Sequence, residues 1–429
     1  MTDINELGFD TRMIHAGAVP DPATGARQTP IYQTTSFVFK DAAHAARLFS
    51  LQEVGYIYSR LTNPTVGALQ DRCASLEGGV GAVATSSGHA AQILALFPLM
   101  SPGKNIVAAR KLYGGSINQF SNAFKRFGWD VKFVDGDNID EVAAAVDDNT
   151  RALFCESLAN PGGVVTDLEG WANTANEKGL PLIVDNTMAT AALCRPIEHG
   201  ATIVVNSTTK FLSGNGTSIG GVVIDSGTFD WTKSGKFPSL SEPAPEYNGI
   251  KFHEALGPMA FTFFGIAVGL RDLGAAQTPQ NAFYTLLGME TLSLRMERHS
   301  ENALKVAKHL EGHAAVEYVS YAGLDSSPYN AAAKKYLPNG AGAVFTVGLK
   351  GGYDAGVSLV DNLQLFSHLA NIGDARSLVI HSASTTHSQL SDEEKTAAGA
   401  GPEVVRLSVG LEKAEDLIAD LDQALAKSA

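Results

Sequence analysis

Cysteine is scarce in this chain of 429 residues: only Cys73, Cys155 and Cys194 occur, and no two form a Cys-x-x-Cys pair. That scarcity argues against a disulfide framework and against a zinc site, so no metal is expected, and it fits a reducing cytoplasm. Basic clusters are missing as well. With 32 Lys and Arg against 45 Asp and Glu the formal net charge is -13. Nowhere do cations concentrate as binding to a phosphate backbone requires, so no nucleic-acid partner is expected. Long apolar runs are also wanting. Residues 90–100 and 258–270 are the best of them, and they read as too short or too interrupted by glycine to span a bilayer, so no membrane partner is expected. The first residues carry no apolar segment of the kind that marks a signal peptide. No Gly-x-Gly-x-x-Gly follows an early strand, which argues against a nicotinamide dehydrogenase. What is present is ordinary for a globular protein: 45% hydrophobic and 18% charged residues. On a prior of roughly 150 residues per domain, the length suggests two or three domains.

The order of residues divides the chain into three. Residues 1–60 lack a long amphipathic pattern and are rich in Pro, Gly, Thr and Tyr, as expected of an arm that docks elsewhere. Residues 61–290 alternate short apolar runs with helical segments. The runs begin at Asn105, Val131, Ala152, Leu180 and Ala201, and residues 168–178 are one of the helical segments. That alternation predicts an α/β domain with an open, mainly parallel sheet. Within it, residues 226–260 hold Pro238, Pro243, Pro245 and Pro258 among Gly and Ser and read as a long loop or lid. Residues 291–429 read as a smaller C-terminal α+β domain, entered by a helix over 289–310.

Ligands of open α/β sheets sit at the carboxyl ends of the strands. The residues just after each apolar run are therefore the candidates. They are Glu156, Asp185, the cluster Asn206-Ser-Thr-Thr-Lys210, and Tyr113-Gly-Gly115. Lys210 reads either as a solvated lysine or as an amine that forms a Schiff base, which requires that it can be neutral. Asp185 reads either as a cap of the Asp-Asn-Thr turn or as a carboxylate that protonates a pyridine nitrogen. Ser86-Ser-Gly-His89 precedes an apolar helical run, where free N–H groups and the helix dipole suit an anion. Tyr56-Ile-Tyr-Ser-Arg60 offers phenols and a guanidinium fit for phosphate. Arg406, inside the strand-like Val405-Arg-Leu-Ser-Val-Gly410, reads either as a surface residue or as a carboxylate clamp.

Together these segments resemble the Cys/Met-metabolism enzymes that use pyridoxal 5'-phosphate, of fold type I. The resemblance runs from Thr11-Arg-Met-Ile-His-Ala-Gly17 to Arg406-Leu-Ser-Val-Gly-Leu-Glu412. It rests on Tyr56-Ile-Tyr-Ser-Arg60 with Asn63-Pro-Thr65, Leu76-Glu-Gly78, Ser87-Gly88, Asp185-Asn-Thr187 and Ser207-Thr-Thr-Lys210. Pro30-Ile-Tyr-Gln-Thr-Thr35 with His44-Ala-Ala46, the long segment after Lys210, and Ala370-Asn-Ile-Gly-Asp-Ala-Arg376 resemble the O-acetylhomoserine sulfhydrylase branch most. Two departures are Ser382, where proline is more usual, and His89, where an apolar residue often lies.

The resemblance implies roles. Lys210 is the Schiff-base lysine and proton shuttle, Asp185 the pyridinium partner, and Tyr113 the ring-stacking residue that handles leaving-group protons. Ser87, Gly88, the His89 backbone, Ser207 and Thr209 form the phosphate cradle. Glu156, Asn160 and Thr187 lie near the cofactor. Tyr58 and Arg60 reach the phosphate of a neighbouring subunit, and Tyr56, Asn371 and Arg406 contact the substrate, Arg406 and Asn371 at its α-carboxylate. The expected partners are small molecules, O-acetyl-L-homoserine with sulfide or a small thiol, and further copies of the chain in a tetramer of active dimers. Open alternatives are a cystathionine synthase, cystathionine lyase or methionine γ-lyase reaction on the same scaffold, and a cofactor-binding regulatory protein without turnover.

Overall fold

The computed structural model describes residues 3–161, 163–385, 388, 395 and 399–427. Seven strands form the larger sheet: β1 (Gly81–Thr85), β2 (Asn105–Ala109), β3 (Asp130–Val134), β4 (Thr150–Glu156), β5 (Leu182–Asp185), β6 (Ile203–Asn206) and β7 (Gly221–Asp225). Their order is β1-β7-β6-β5-β4-β2-β3, with β7 antiparallel to both neighbours and the other pairs parallel. All seven residues of β4 are buried. Helices cover both faces of such a sheet, which is why its central strands read as continuous apolar runs. The five expected strands are present. β1 and β7 were not read as strands: Gly-Ala-Val-Ala-Thr carries little β-propensity, and the Val-Val-Ile of β7 follows the glycine-rich stretch 214–221 that reads as loop.

The second sheet holds β8 (Val316–Ser320), β9 (Val344–Leu349), β10 (Ser367–His368), β11 (Leu378–His381) and β12 (Val404–Ser408) in the order β10-β11-β12-β9-β8. Only β10 and β11 pair in parallel. Arg406 sits mid-strand in β12, opposite Ile380 and Thr346.

Three expectations change. Residues 226–260 are no open lid: Trp231, Phe237, Leu240 and Phe252 are buried, and the rings of Trp231 and Phe261 stack at 5.5 Å. The prolines start short helices there, with Pro238 and Pro245 in first turns, where a missing N–H costs nothing. Glycine and proline likewise fail to break the next segment, since Gly257 and Pro258 form one tight turn within a continuous helical run, Phe252–Leu273. By length and composition that run could cross a membrane. In this fold it is a core helix, with Ala260, Phe261, Phe264, Ala267, Val268 and Leu270 buried. The helix expected over 289–310 begins at Leu292 and ends at Glu311, after a separate helix Pro279–Met289.

The start of the chain is pinned to the helix Pro64–Glu77. Arg72 donates to the carbonyls of Ile14 and Ala16, and Arg12 to that of Ser75. Beyond it the arm is open: Val38, Phe49 and Val54 are exposed.

Candidate active site

A cavity of about 300 Å³ opens at the carboxyl ends of β4, β5 and β6, where Glu156, Asp185 and Asn206 end their strands. The parallel register sets Glu156 beside Asp185. Loops from the second sheet close the other side with Ala370, Asn371, Ile372 and Arg406. Of the residues expected here, Ser87, Gly88, His89, Tyr113, Glu156, Asn160, Asp185, Thr187, Ser207, Thr209, Lys210, Asn371 and Arg406 all line it. Tyr56, Tyr58 and Arg60 do not. The two tyrosines are exposed, and the Arg60 guanidinium lies 5.5 Å over the Tyr58 ring on the arm.

Lys210 follows β6 in a tight turn closed by the N–H of Gly214 donating to its carbonyl. Its Nζ donates to Asn371 Oδ1. Burial, aided by the charge of Arg406, pushes the amine down to about 8, so roughly a tenth is neutral at pH 7, far more than for an ordinary lysine. The Arg406 guanidinium donates to Asn160 Oδ1 at 3.2 Å and to the Asn371 carbonyl at 3.3 Å. Burial brings it down to about 10, still cationic. A reacting amine and a fixed cation thus share one wall through Asn371.

Asp185 is braced from two sides. Its Oδ1 accepts the N–H of Thr187 at 2.9 Å, and its Oδ2 accepts from Gln92 Nε2 at 3.3 Å. Burial raises its pKa, against those hydrogen bonds. Glu156 is raised further, by burial and then by the Asp185 charge. Two adjacent buried carboxylates resist ionising together, so a cationic group between them and the cavity is favoured. Glu156 accepts the N–H of Tyr113 at 2.7 Å and of Asn160 at 3.1 Å. Its contacts here set the backbone of the two residues rather than presenting a free acid. The Tyr113 ring stacks on His89, centroids 5.9 Å apart.

The anion site is a helix start. Ser87 Oγ caps the helix Gly88–Leu96 by accepting the N–H of Ala90. The N–H groups of Gly88 and His89, which no carbonyl of the helix can reach, are left at the cavity wall. A Cβ at Gly88 would come within 2.8 Å of Ser207 Cβ, so only glycine lets this turn approach Ser207. The Thr209 hydroxyl is committed to Gly220, accepting its N–H and donating to its carbonyl.

Sequence reasoning missed Gln92, Met188, Ile219, Ala370 and Ile372. Gln92 left a signal as the one polar residue in the apolar run 90–97, and Ala370 and Ile372 flank Asn371 in the 370–376 motif. Its Nε2 also donates to Ser116 Oγ at 2.8 Å.

These parts suit pyridoxal 5'-phosphate. Lys210 would carry its aldehyde carbon, Asp185 would face its pyridine nitrogen, the Gly88–His89 turn with Ser207 would take its phosphate, and the Tyr113 side would cover its ring. An open α/β sheet whose strand ends gather these groups defines a lysine-anchored, pyridoxal-phosphate-dependent enzyme.

Comparison with known proteins agrees. The family described as "Cys/Met metabolism PLP-dependent enzyme" matches residues 10–426, and the chain belongs to that family. It is 51% identical to O-acetyl-L-homoserine sulfhydrylase 1 of Thermus thermophilus over 422 residues, covering 98% of this chain and 100% of that one. It is 50% identical to homocysteine synthase of Schizosaccharomyces pombe over 419 residues, 97% of this chain and 98% of that one. A crystal structure from Campylobacter jejuni, described as a "putative O-acetylhomoserine (thiol)-lyase", superposes with a TM-score of 0.95 at 40% identity, covering 98% of this chain and all of that one. It carries an N'-pyridoxyl-lysine-5'-monophosphate.

Proposed function

We propose that the chain catalyses γ-replacement on O-acetyl-L-homoserine, with sulfide or methanethiol displacing acetate to give L-homocysteine or methionine. The observation that carries this reading is the placement of the Lys210 amine against Asn371 and Arg406, a base beside a carboxylate clamp. Sulfhydrylases and homocysteine synthases about half identical over nearly the whole chain support the choice of ester.

Pyridoxal phosphate, when bound, supplies a covalent hold on the substrate's amine and an electron sink for negative charge at Cα. The chain's own residues do the rest. Arg406 and Asn371 hold the α-carboxylate, which fixes the Cα–H bond relative to Lys210. Lys210, neutral in part because burial lowers it to about 8, would take the proton from Cα, give it up to the bound cofactor and, neutral again, take one from Cβ. Asp185 holds a proton on the pyridine nitrogen. Tyr113 stands where protons pass during loss of acetate and entry of the thiol. The proposal includes a cytoplasmic homotetramer built from dimers, in which Tyr58 and Arg60 of one subunit complete the phosphate site of the next. The three cysteines, all free and buried, suit a reducing compartment.

The test is product formation by the cofactor-loaded protein from sulfide and O-acetyl-L-homoserine, beside the succinyl ester and cystathionine. Preference for the acetyl ester with homocysteine as product is expected. Release of a ketoacid, or turnover of cystathionine in preference, would move the chain to the lyase or synthase reactions.

A further inference from the structure

The Leu76-Glu-Gly78 segment lies outside the cavity lining, yet it ends in a feature with no evident packing purpose. Glu77 is the last residue of the helix Pro64–Glu77 and is 3% exposed. A carboxylate there is disfavoured twice, by burial and by the negative end of the helix dipole. No cation among the described residues makes an ion pair with it; Arg195, whose charge acts on it from a distance, pairs with Glu198. Burial raises the carboxyl to about 7 against hydrogen bonds that lower it.

Those hydrogen bonds are specific. Glu77 Oε1 accepts from Asn186 Nδ2 and from Asn206 Nδ2, each at 3.0 Å, and Oε2 lies 3.3 Å from Asn186 Nδ2. Asn186 also donates to the Cys194 carbonyl and accepts from Ser157 Oγ at 2.7 Å. Asn186 follows Asp185, Asn206 precedes Ser207, and Ser157 follows Glu156. One carboxylate beneath the strand ends therefore grips the residues flanking the pyridine-nitrogen partner and the phosphate cradle. An apolar side chain would fill the volume at lower cost but could not tie β5 to β6 at this level.

We propose that Glu77 is a positioning residue for the cofactor: through Asn186 and Asn206 it fixes the spacing between Asp185 and Ser207, and with it the seat of pyridoxal phosphate. It rests on the assignment of Asp185 and Ser207 to the cofactor. A ligand anchored at a nitrogen and a phosphate reads out the distance between the two anchors, so a shift of a few tenths of an ångström at either strand end loosens the fit.

The experiment compares wild type, Glu77→Gln, Asn206→Ala and the double variant, with Asp185→Ala as a control. It measures the dissociation constant of pyridoxal phosphate, the circular dichroism of the bound cofactor, kcat and KM at full cofactor occupancy, and melting of the apoprotein. Glu77→Gln is expected to weaken cofactor binding about tenfold, to change the cofactor's circular dichroism, and to lower kcat with little change in KM, while the apoprotein melts near wild type. Asn206→Ala should do the same, and the double variant should add little. Should Glu77→Gln fail to fold, Asn206→Ala carries the test alone. Unchanged affinity and circular dichroism in a folded variant would overturn the proposal, as would losses that follow the melting temperature. If Asp185→Ala also leaves cofactor binding intact, the underlying site assignment fails; if Asp185→Ala loses it and Glu77→Gln does not, only the role of Glu77 fails.

Discussion

Two regions were expected to hold the cofactor, and the fold treats them differently. At the edge of the larger sheet, Asp185, Ser207 and Lys210 are held by neighbours within the same chain: Asp185 by Thr187 and Gln92, the Ser207 N–H by Thr187 Oγ1 at 2.8 Å, and Lys210 by Asn371. On the arm, Tyr56, Tyr58 and Arg60 stand at the surface, away from the cavity, among exposed apolar residues such as Val38 and Val54. A pre-organised site spends its strain and desolvation on folding; an exposed phenol and guanidinium gain a role only when a second surface meets them. The sheet edge belongs to the chain. The arm leaves its phenols and guanidinium at the surface, where the proposed neighbouring subunit would meet them.

Breaking the sheet-edge side should cost most. Lys210→Ala is expected to lower turnover by at least about 10³-fold, the scale of a lost general base, and to abolish the cofactor's lysine-bound visible absorption; near-normal steady-state rates would refute its role. Arg406→Ala should raise KM for the amino acid by roughly 30–100-fold, as loss of a charged hydrogen-bonded clamp implies, with a smaller fall in kcat. A kcat loss at constant KM would instead place Arg406 away from the carboxylate. On the arm, Arg60→Ala should be milder, raising the cofactor's dissociation constant about tenfold, a defect absent from a monomeric form of the chain. Equal cofactor retention by Arg60→Ala and wild-type oligomers would remove the cross-subunit contact.

Acidity sharpens the same contrast, because the sheet edge holds a buried amine whose pKa is lowered. Lys210 titrates at about 8 in the folded apoprotein against an ordinary 10.5. Between those values the unfolded chain keeps a proton that the folded one has released, so stability rises with pH across the window relative to Lys210→Met. Below about 8 both states are protonated and the full cost of burying the charge remains. Capture of added pyridoxal phosphate by the apoprotein should quicken as pH passes through about 8, since only the neutral amine attacks an aldehyde. Stopped-flow absorbance measures this, and a rate that is flat from pH 6 to 10 would contradict the shift.

Much of this was legible in the sequence, for reasons that vary by element. The central strands announced themselves because both faces are buried and their residues run apolar without a break. Lys210, Asp185 and Glu156 were found because each follows such a strand. The 226–260 segment misled because proline and glycine are ambiguous in one dimension: Pro238 opens a helix that only the burial of Phe237 and Leu240 reveals. Glu156 was seen as a site residue, but its hold on the Tyr113 and Asn160 N–H groups depends on which backbone lies across from it. Glu77 is the furthest case, since its partners, Asn186 and Asn206, are more than a hundred positions away.

Every role proposed for this site depends on Lys210 being the residue that holds the cofactor. Reduction of the loaded, folded protein with borohydride, followed by digestion and peptide mass measurement, tests it most directly. The predicted result is a pyridoxyl phosphate label confined to the peptide that contains Lys210. A label on another lysine, or none on protein that retains the bound cofactor, would contradict it.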